Sequence, residues 1–561
     1  MDYAALQNEW RTNPEYDVQG LTKILAEAPK SSLVWALENP QATAKDRLGR
    51  APGARQAESF TSSTFPSWHH SLRHATMFAR PTRILTIILA ASGLFITTTF
   101  LHRLLNGSHR LSIFTISPSE ANPPTPQILA FWETWAKVID TARPKIPAIE
   151  LKEVAQPAGI EPENERERKP FNFAIGISDK DIESLRQSHE KLVGHANFSR
   201  INDQATRLFS GTGIVTVAGG FYFAPAILSI RMLRKTNSTL PVQVFLRNKS
   251  EYEKKICQEV LPALNAECFV IQDHLRKDNP VQVEHYQLKV LAILFSSFES
   301  VLYLDSDCMT LLDPAELFLS EPFLSTGLVS WPDYWIATED PVFYKIAGLP
   351  SFPKGLPARS SEAGQLLISK QTHLTTLLLA AYYNIYGPGI YYPILSQGAA
   401  GEGDKETFLA AAVVLENPDY RVRHRLGTVG YHEADRKFHG TAMVQYHPGD
   451  DYAPRDPTSL KQTRPLFLHA NSPKMNIAHL LADDRVFYQG TEDRLRLWGP
   501  KESMSKMVGY DIEEIVWGEI VDMACQLDNT LKDFRGAWQI CERAQRHYRK
   551  TFQPHATALL T

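Results

Sequence analysis

The sequence predicts an α/β protein, a Rossmann-like, mostly parallel sheet behind a single N-terminal transmembrane anchor and followed by C-terminal helices. Three observations predict it. Short apolar runs alternate with helical ones from residue 213 to 304, one uncharged stretch covers 84–101, and amphipathic segments fill the end of the chain.

The 561 residues allow two to four units at roughly 100–200 residues each, with ample length for a large core. Hydrophobic residues at 43% and charged residues at 22% exclude a wholly disordered chain. With 59 basic and 62 acidic side chains the formal charge is −3, so there is no global basic field and nucleic acid is not an expected partner. Five cysteines, an odd number, exclude a disulfide scaffold.

Ile84 to Leu101, ILTIILAASGLFITTTFL, carries no charge. A helix of that length spans about 27 Å at about 1.5 Å per residue, enough for a thin bilayer. Arg73, Arg80 and Arg83 before it outnumber Arg103 and Arg110 after it, which favours a cytosolic N-terminus. The glycosylation triplets at Asn106, Asn197, Asn237 and Asn248 all follow the span, as lumenal exposure of the bulk requires. Met77 opens a short basic head before the anchor, so the tail ahead of it is either a disordered cytosolic segment or an extension upstream of the true start. The expected organisation is a cytosolic tail over 1–83, the anchor over 84–101, a lumenal stem over 102–205, the head over 206–500 and a helical cap over 501–561.

Within the stem, ANPPTPQ and EPENERERKP read as linker, with a helix around Ile128–Thr141 between them. SDKDIESLRQSHEKLV reads as a helix docked on the head. From Gly211 the runs GIVTVA, PVQVFL, ECFVI and SVLYL alternate with FAPAILSIRMLRK, SEYEKKICQEVLPAL (Ser250 and Glu253 forming a capping box) and a helix around His285–Ser297. That spacing predicts a parallel sheet covered on both faces, with ligands at the carboxyl ends of its strands.

Asp305-Ser306-Asp307 stands at the carboxyl end of SVLYL. Two carboxylates one residue apart can share a hard divalent cation that in turn binds a diphosphate. The tripeptide alone is cheap: Asp179-Lys180-Asp181 has the same form but follows no apolar strand. Gly219 and Gly220, after the first strand, let backbone N–H groups approach a nucleotide. Gly401-Glu402-Gly403-Asp404 is a tightly turned acidic loop ahead of a helix, either dipole-favoured acids or a reactive carboxylate.

The segments GTGIVTVAGGFYFAPAILSIRMLRKTNSTLPVQVFL, NAECFV, YQLKVLAILFSSFESVLYLDSD and YYPILSQGAAGEGDKETFLAAA resemble the fungal Golgi α-mannosyltransferases that branch mannan, glycosyltransferase family seventy-one, and most nearly its α-1,2-transferring branch. The resemblance runs from about 200 to 475. More distantly, Lys289 to Asp307 is similar to the glycogenin-like transferases. The resemblance implies a GT-A fold, a GDP-mannose donor, Mn²⁺, a mannosylated glycan acceptor, a lumenal head on a single-pass type II Golgi anchor, and a Golgi mannosyltransferase complex as a candidate partner.

It also implies roles. Asp305 and Asp307 bind Mn²⁺, or Asp305 holds the donor ribose or sugar; His469, after another apolar run, is a third metal ligand as a neutral imidazole. Lys289 contacts the donor and Lys474 neutralises the leaving diphosphate. Arg359, Glu362 and Gln365 belong to a sugar-contacting loop, in which Ala363 replaces a serine frequent in the family. Asp333, between Trp331 and Trp335, is a further candidate for the sugar. Asp404, or Glu402, faces the acceptor hydroxyl, and an α-linked product from an α-linked donor means retention, by a carboxylate nucleophile or by front-face attack. The alternatives are α-1,3 transfer, a UDP-sugar donor on the same fold, or a non-catalytic subunit of a complex. Cys257 with Cys268 and Cys525 with Cys541 are candidate pairs, which leaves Cys308 as the odd thiol.

Overall fold

The structure, a computed structural model, describes residues 122–553 apart from 156–167, 169, 173–174, 276–282, 434–435, 454–461, 484 and 489–493. The segments expected as tail, anchor and first part of the stem, and Asn106, lie outside these residues. Among the described residues no helix is long and apolar enough to cross a membrane.

The first four strands fall where the apolar runs place them: β1 (Thr212–Ala218), β2 (Val242–Leu246), β3 (Ala266–Val270) and β4 (Ser300–Leu304). They pair in parallel, β3-β2-β1-β4. The main sheet is mostly parallel, as expected, with two antiparallel pairings beyond β4. β7 (Arg359–Ser369) runs antiparallel to both β4 and β6 (Leu328–Ile336), and β8 (Tyr420–Arg421) closes the order β3-β2-β1-β4-β7-β6-β8. A second, antiparallel sheet has the order β5-β11-β10-β9, from β5 (Cys308–Thr310), β9 (Gly427–His432), β10 (Phe438–Tyr446) and β11 (Pro465–His469).

Alternation along the strands divides the core into two clusters. Ile214, Leu302, Leu304 and Leu367 face one side, with α3 (Phe223–Lys235), the second sheet and the C-terminal helices α7 (Ile512–Leu527) and α8 (Ile540–Phe552). Val215, Val301, Tyr303, Leu366 and Ile368 face the other. There they meet α4 (Gln287–Phe295), α5 (Lys370–Ile385) and α6 (Thr407–Val414). α4 and α6 are apolar nearly all round, as buried helices are.

Part of the segment read as stem belongs to this second layer. α1 (Pro126–Thr141) buries Ile128, Phe131, Trp132, Trp135 and Ile139 there, and α2 (Asp179–Val193) buries Ile182, Leu185 and Leu192. The Ser178 hydroxyl caps α2 by accepting from the Asp181 N–H, so Asp179 and Asp181 are first-turn acids, as their context suggested. The capping box at Ser250 and Glu253 does not form: Asn248 Oδ1 accepts from Ser250 N and Oγ, and Glu253 instead accepts from the Lys532 N–H. Both candidate cysteine pairs are disulfides, and Cys308 is a buried free thiol. Asn197 and Asn237 are exposed and Asn248 is half-buried.

Candidate active site

The site lies at the carboxyl ends of the central strands, and two pairing registers assemble it. Leu304 on β4 sits opposite Gln365 on β7, and the Asp305 N–H donates to the Gly364 carbonyl at 2.8 Å, which brings Glu362 beside the acidic tripeptide. On the second sheet His469 ends β11 opposite Cys308 on β5, one residue past Asp307. Hence a histidine 162 positions away in the chain reaches the same point: one ligand atom each of Asp305, Asp307 and His469 lies within 4.8 Å of the others.

His469 sits between two carboxylates, Nε2 at 3.3 Å from Asp307 and Nδ1 at 3.4 Å from Glu362, with neither ring nitrogen in hydrogen-bond alignment. Burial opposes a charge on the ring, but Asp307 and Glu362 outweigh it and push the imidazole up to about 10. Burial likewise raises Asp307, and Lys474, followed by His469, overcomes it and holds the carboxylate well below its usual range. Lys289 is buried; its ammonium lies 3.3 Å from Asp305 and 3.2 Å from Asp404 and donates to the Ala363 carbonyl at 2.5 Å. The Tyr303 hydroxyl donates to Asp305 at 2.9 Å.

This donor set fits a divalent cation. Two carboxylates and an imidazole converge, the imidazole nitrogens lack hydrogen-bond partners, and the Lys289 and Lys474 charges beside them suit a polyanion. Asp404 stands across Lys289 from Asp305, with its carboxylate oxygen Oδ2 buried and outside hydrogen-bond geometry. Burial raises it, against Lys289 and with help from Asp305, to about 6. A buried carboxyl poised near neutrality beside a cation is a common property of catalytic acids and bases.

Other expected residues stand further out. The Glu402 carboxylate accepts from the Ser396 hydroxyl at 3.0 Å, and among the described residues no hydrogen bond or ion pair joins it to the Asp305 group. Arg359 donates to the backbone carbonyls of Asp333 and Tyr334, on the adjacent strand. Gln365 is buried behind the site, accepting from the Cys308 thiol, with its Nε2 unpartnered. Glu362 accepts from the Gly364 N–H at 2.6 Å and so faces His469 rather than standing free in a loop. Asp333 pairs with Lys405 at 2.8 Å, while Trp331 is core.

Gly219 has φ 124° and Gly220 φ 51°, and a Cβ on Gly219 would come 2.5 Å from Glu251 Oε2. Gly219→Ala is therefore expected to cost about 1–3 kcal/mol of stability or to open the turn. Thermal unfolding and donor KM check this. An unfolding midpoint and a donor KM both unchanged would remove Gly219 from the site.

Residues 211–357 and 349–447 match the family model described as "Mannosyltransferase putative". The match takes in less than half of the 561 residues. Over 446 residues the chain is 36% identical to α-1,2-mannosyltransferase MNN21 of Candida albicans, covering 67% of this chain and 66% of that one. With α-1,2-mannosyltransferase MNN2 of Saccharomyces cerevisiae it shares 38% over 319 residues, 51% of this chain and 53% of that one. The chain thus spans less than two thirds of the length of these curated relatives. Among solved structures, the glycosyltransferase GlyE of Streptococcus pneumoniae TIGR4 is similar at 15% identity over 38% of this chain and 45% of its own, with a TM-score of 0.26, too slight a likeness to build on. Asp305, Asp307, Asp333, Glu362 and Asp404 fall inside the matched region; Lys474 and His469 lie beyond it.

The sequence missed Arg168. It sits in the charged run read as linker, yet its guanidinium is buried, 2.9 Å from Glu339 and 3.2 Å from Glu406. No local signal could have found it, because its partners lie far along the chain.

Proposed function

We propose that the protein is a retaining α-mannosyltransferase that moves mannose from GDP-mannose to a mannosylated glycan and forms α-1,2 linkages. The observation that carries this reading is the Asp305–Asp307–His469 group at strand ends, its two aspartates within the region that matches a mannosyltransferase family model. The similarity to proteins named α-1,2-mannosyltransferases supports the linkage. Asp305, Asp307 and His469 would hold Mn²⁺, for which His469 must give up its proton. When bound, the cation supplies Lewis-acid neutralisation of a diphosphate.

The chain's own residues do the rest. Lys474 and Lys289 set positive charge where a leaving nucleoside diphosphate gains negative charge. Gly219 and Gly220 let the backbone approach the nucleotide, while Arg359 and Glu362 on β7 face the donor sugar and Gln365 backs that strand. Asp404 is assigned the acceptor hydroxyl, which it orients and whose proton it accepts when ionised.

Residence in the Golgi membrane as a single-pass type II protein is part of the same proposal. The uncharged 84–101 stretch supports it, and the two disulfides suit an oxidising lumen. The test is transfer by the full-length protein to α-mannobiose, with GDP-mannose and UDP-glucose offered side by side. Mannose transfer abolished by EDTA and restored by Mn²⁺ is the expected result, with linkage analysis giving α-1,2. Transfer from UDP-glucose instead, or undiminished transfer under EDTA, would overturn donor or cation respectively.

A further inference from the structure

Three consecutive residues of the acidic loop each pair with a different element. Asp404 meets Lys289 on α4, Lys405 meets Asp333 on β6, and Glu406 meets Arg168. Glu406 also accepts from the Ser360 hydroxyl at 2.6 Å and the Ser361 N–H at 2.8 Å, at the start of β7. Arg168 in turn donates to the carbonyls of Pro357 at 3.0 Å and Arg359 at 3.1 Å, while its own N–H donates to the Leu356 carbonyl at 2.8 Å. One guanidinium therefore ties the strand that carries Glu362 to the loop that carries Asp404. Glu339, 2.9 Å away, is a second carboxylate on the same guanidinium nitrogen. Such a buried, doubly paired arginine, with its fork used on both carboxylates and carbonyls, is poorly suited to a solvated linker and well suited to fixing geometry.

We infer that Arg168 is a positioning residue for the reaction: through Glu406 it sets the 401–406 loop, and with it Asp404, against the Lys289–Asp305 side of the site. It touches no reacting atom. Arg168, in the charged run expected as linker, is on this inference an integral part of the head. The kinetic half of the inference rests on the reading of Asp404 as the acceptor-side carboxylate; the geometric half does not.

The test uses the full-length protein with Arg168→Met, Arg168→Lys and Ser360→Ala, plus Leu527→Ala as a destabilised control in the distant C-terminal helices. In Arg168→Met, kcat per folded molecule is expected to fall about tenfold or more with donor KM little changed, because misplacement of a reacting group acts on the chemical step. Amide exchange over 401–407 is expected to speed up by about tenfold or more in the same variant. Arg168→Lys should recover part of both, and Leu527→Ala should show neither. Ser360→Ala removes one donor to Glu406 without uncovering a buried charge, so it keeps the test open if Arg168→Met fails to fold; it should show both effects at reduced size. Exchange over 401–407 no faster than in the control, or an unchanged kcat per folded molecule, overturns the inference. If the unsubstituted protein transfers no mannose, the functional reading fails, and amide exchange still decides whether Arg168 sets the loop.

Discussion

Asp307→Ala is expected to reduce transfer to about a thousandth of the unsubstituted rate or less, the scale seen when a preorganised electrostatic group is removed from an active site. The reason is its position. It is buried between His469 and Lys474, both of which favour its ionised form, and it offers one of the three ligand atoms that converge there. Removing it takes away the main force that keeps His469 protonated and the carboxylate that the Lys474 ammonium pairs with. The local backbone should survive, since Ala470 N–H donates to the Asp307 carbonyl rather than to its side chain. Transfer rate and Mn²⁺ binding by calorimetry, measured on the same preparation, check both halves. Asp181→Ala is the natural control, because that residue forms part of an exposed helix start. An Asp307→Ala protein with full, metal-dependent transfer would sink the cation site.

The second large effect concerns Asp404 and pH. Its folded pKa, about 6, lies above the ordinary 3.8, chiefly through burial and despite Lys289. The native state therefore holds a proton that the unfolded chain releases between about pH 4 and 6, so stability falls as pH rises through that window and is flat above it as far as this group is concerned. A shift of about two units corresponds to about 3 kcal/mol. Activity has the opposite sign: the ionised form serves the acceptor, so transfer should rise through an acidic limb near pH 6. Asp404→Asn is expected to lose about 10²–10⁴ in rate, the usual scale for a positioned acid or base. The variant should also lose the stability difference between pH 4 and 6, measured by unfolding in EDTA. A mutant that keeps both the rate and the acidic limb would return Asp404 to the role of a helix-start acid.

Both effects depend on residues that could be found in the sequence to different degrees. Asp305 and Asp307 were legible because SVLYL reads as a strand, and a strand end fixes where the next side chains go. Asp404 was legible as a tightly turned acidic loop ahead of an apolar helix. Glu402, two residues earlier, looked equally good, and only the fold separates them, since it turns Glu402 toward Ser396 and Asp404 toward Lys289. His469 stood out as a histidine after an apolar run, one among eighteen in the chain, and nothing local says that β11 lies beside β5.

The sequence by itself determined the first four strands and the helices between them, which are written in local periodicity. It offered the two disulfide pairs and the metal ligands as candidates. Only the tertiary structure decided that β7 turns antiparallel, that α1 and α2 pack into the head, and that Arg168 pairs with a carboxylate 238 positions away. The physical reason is range. Side-chain alternation reports which face of an element is buried, but not which distant element covers it, and a charged residue reads as solvated until the fold supplies the partner that allows its burial.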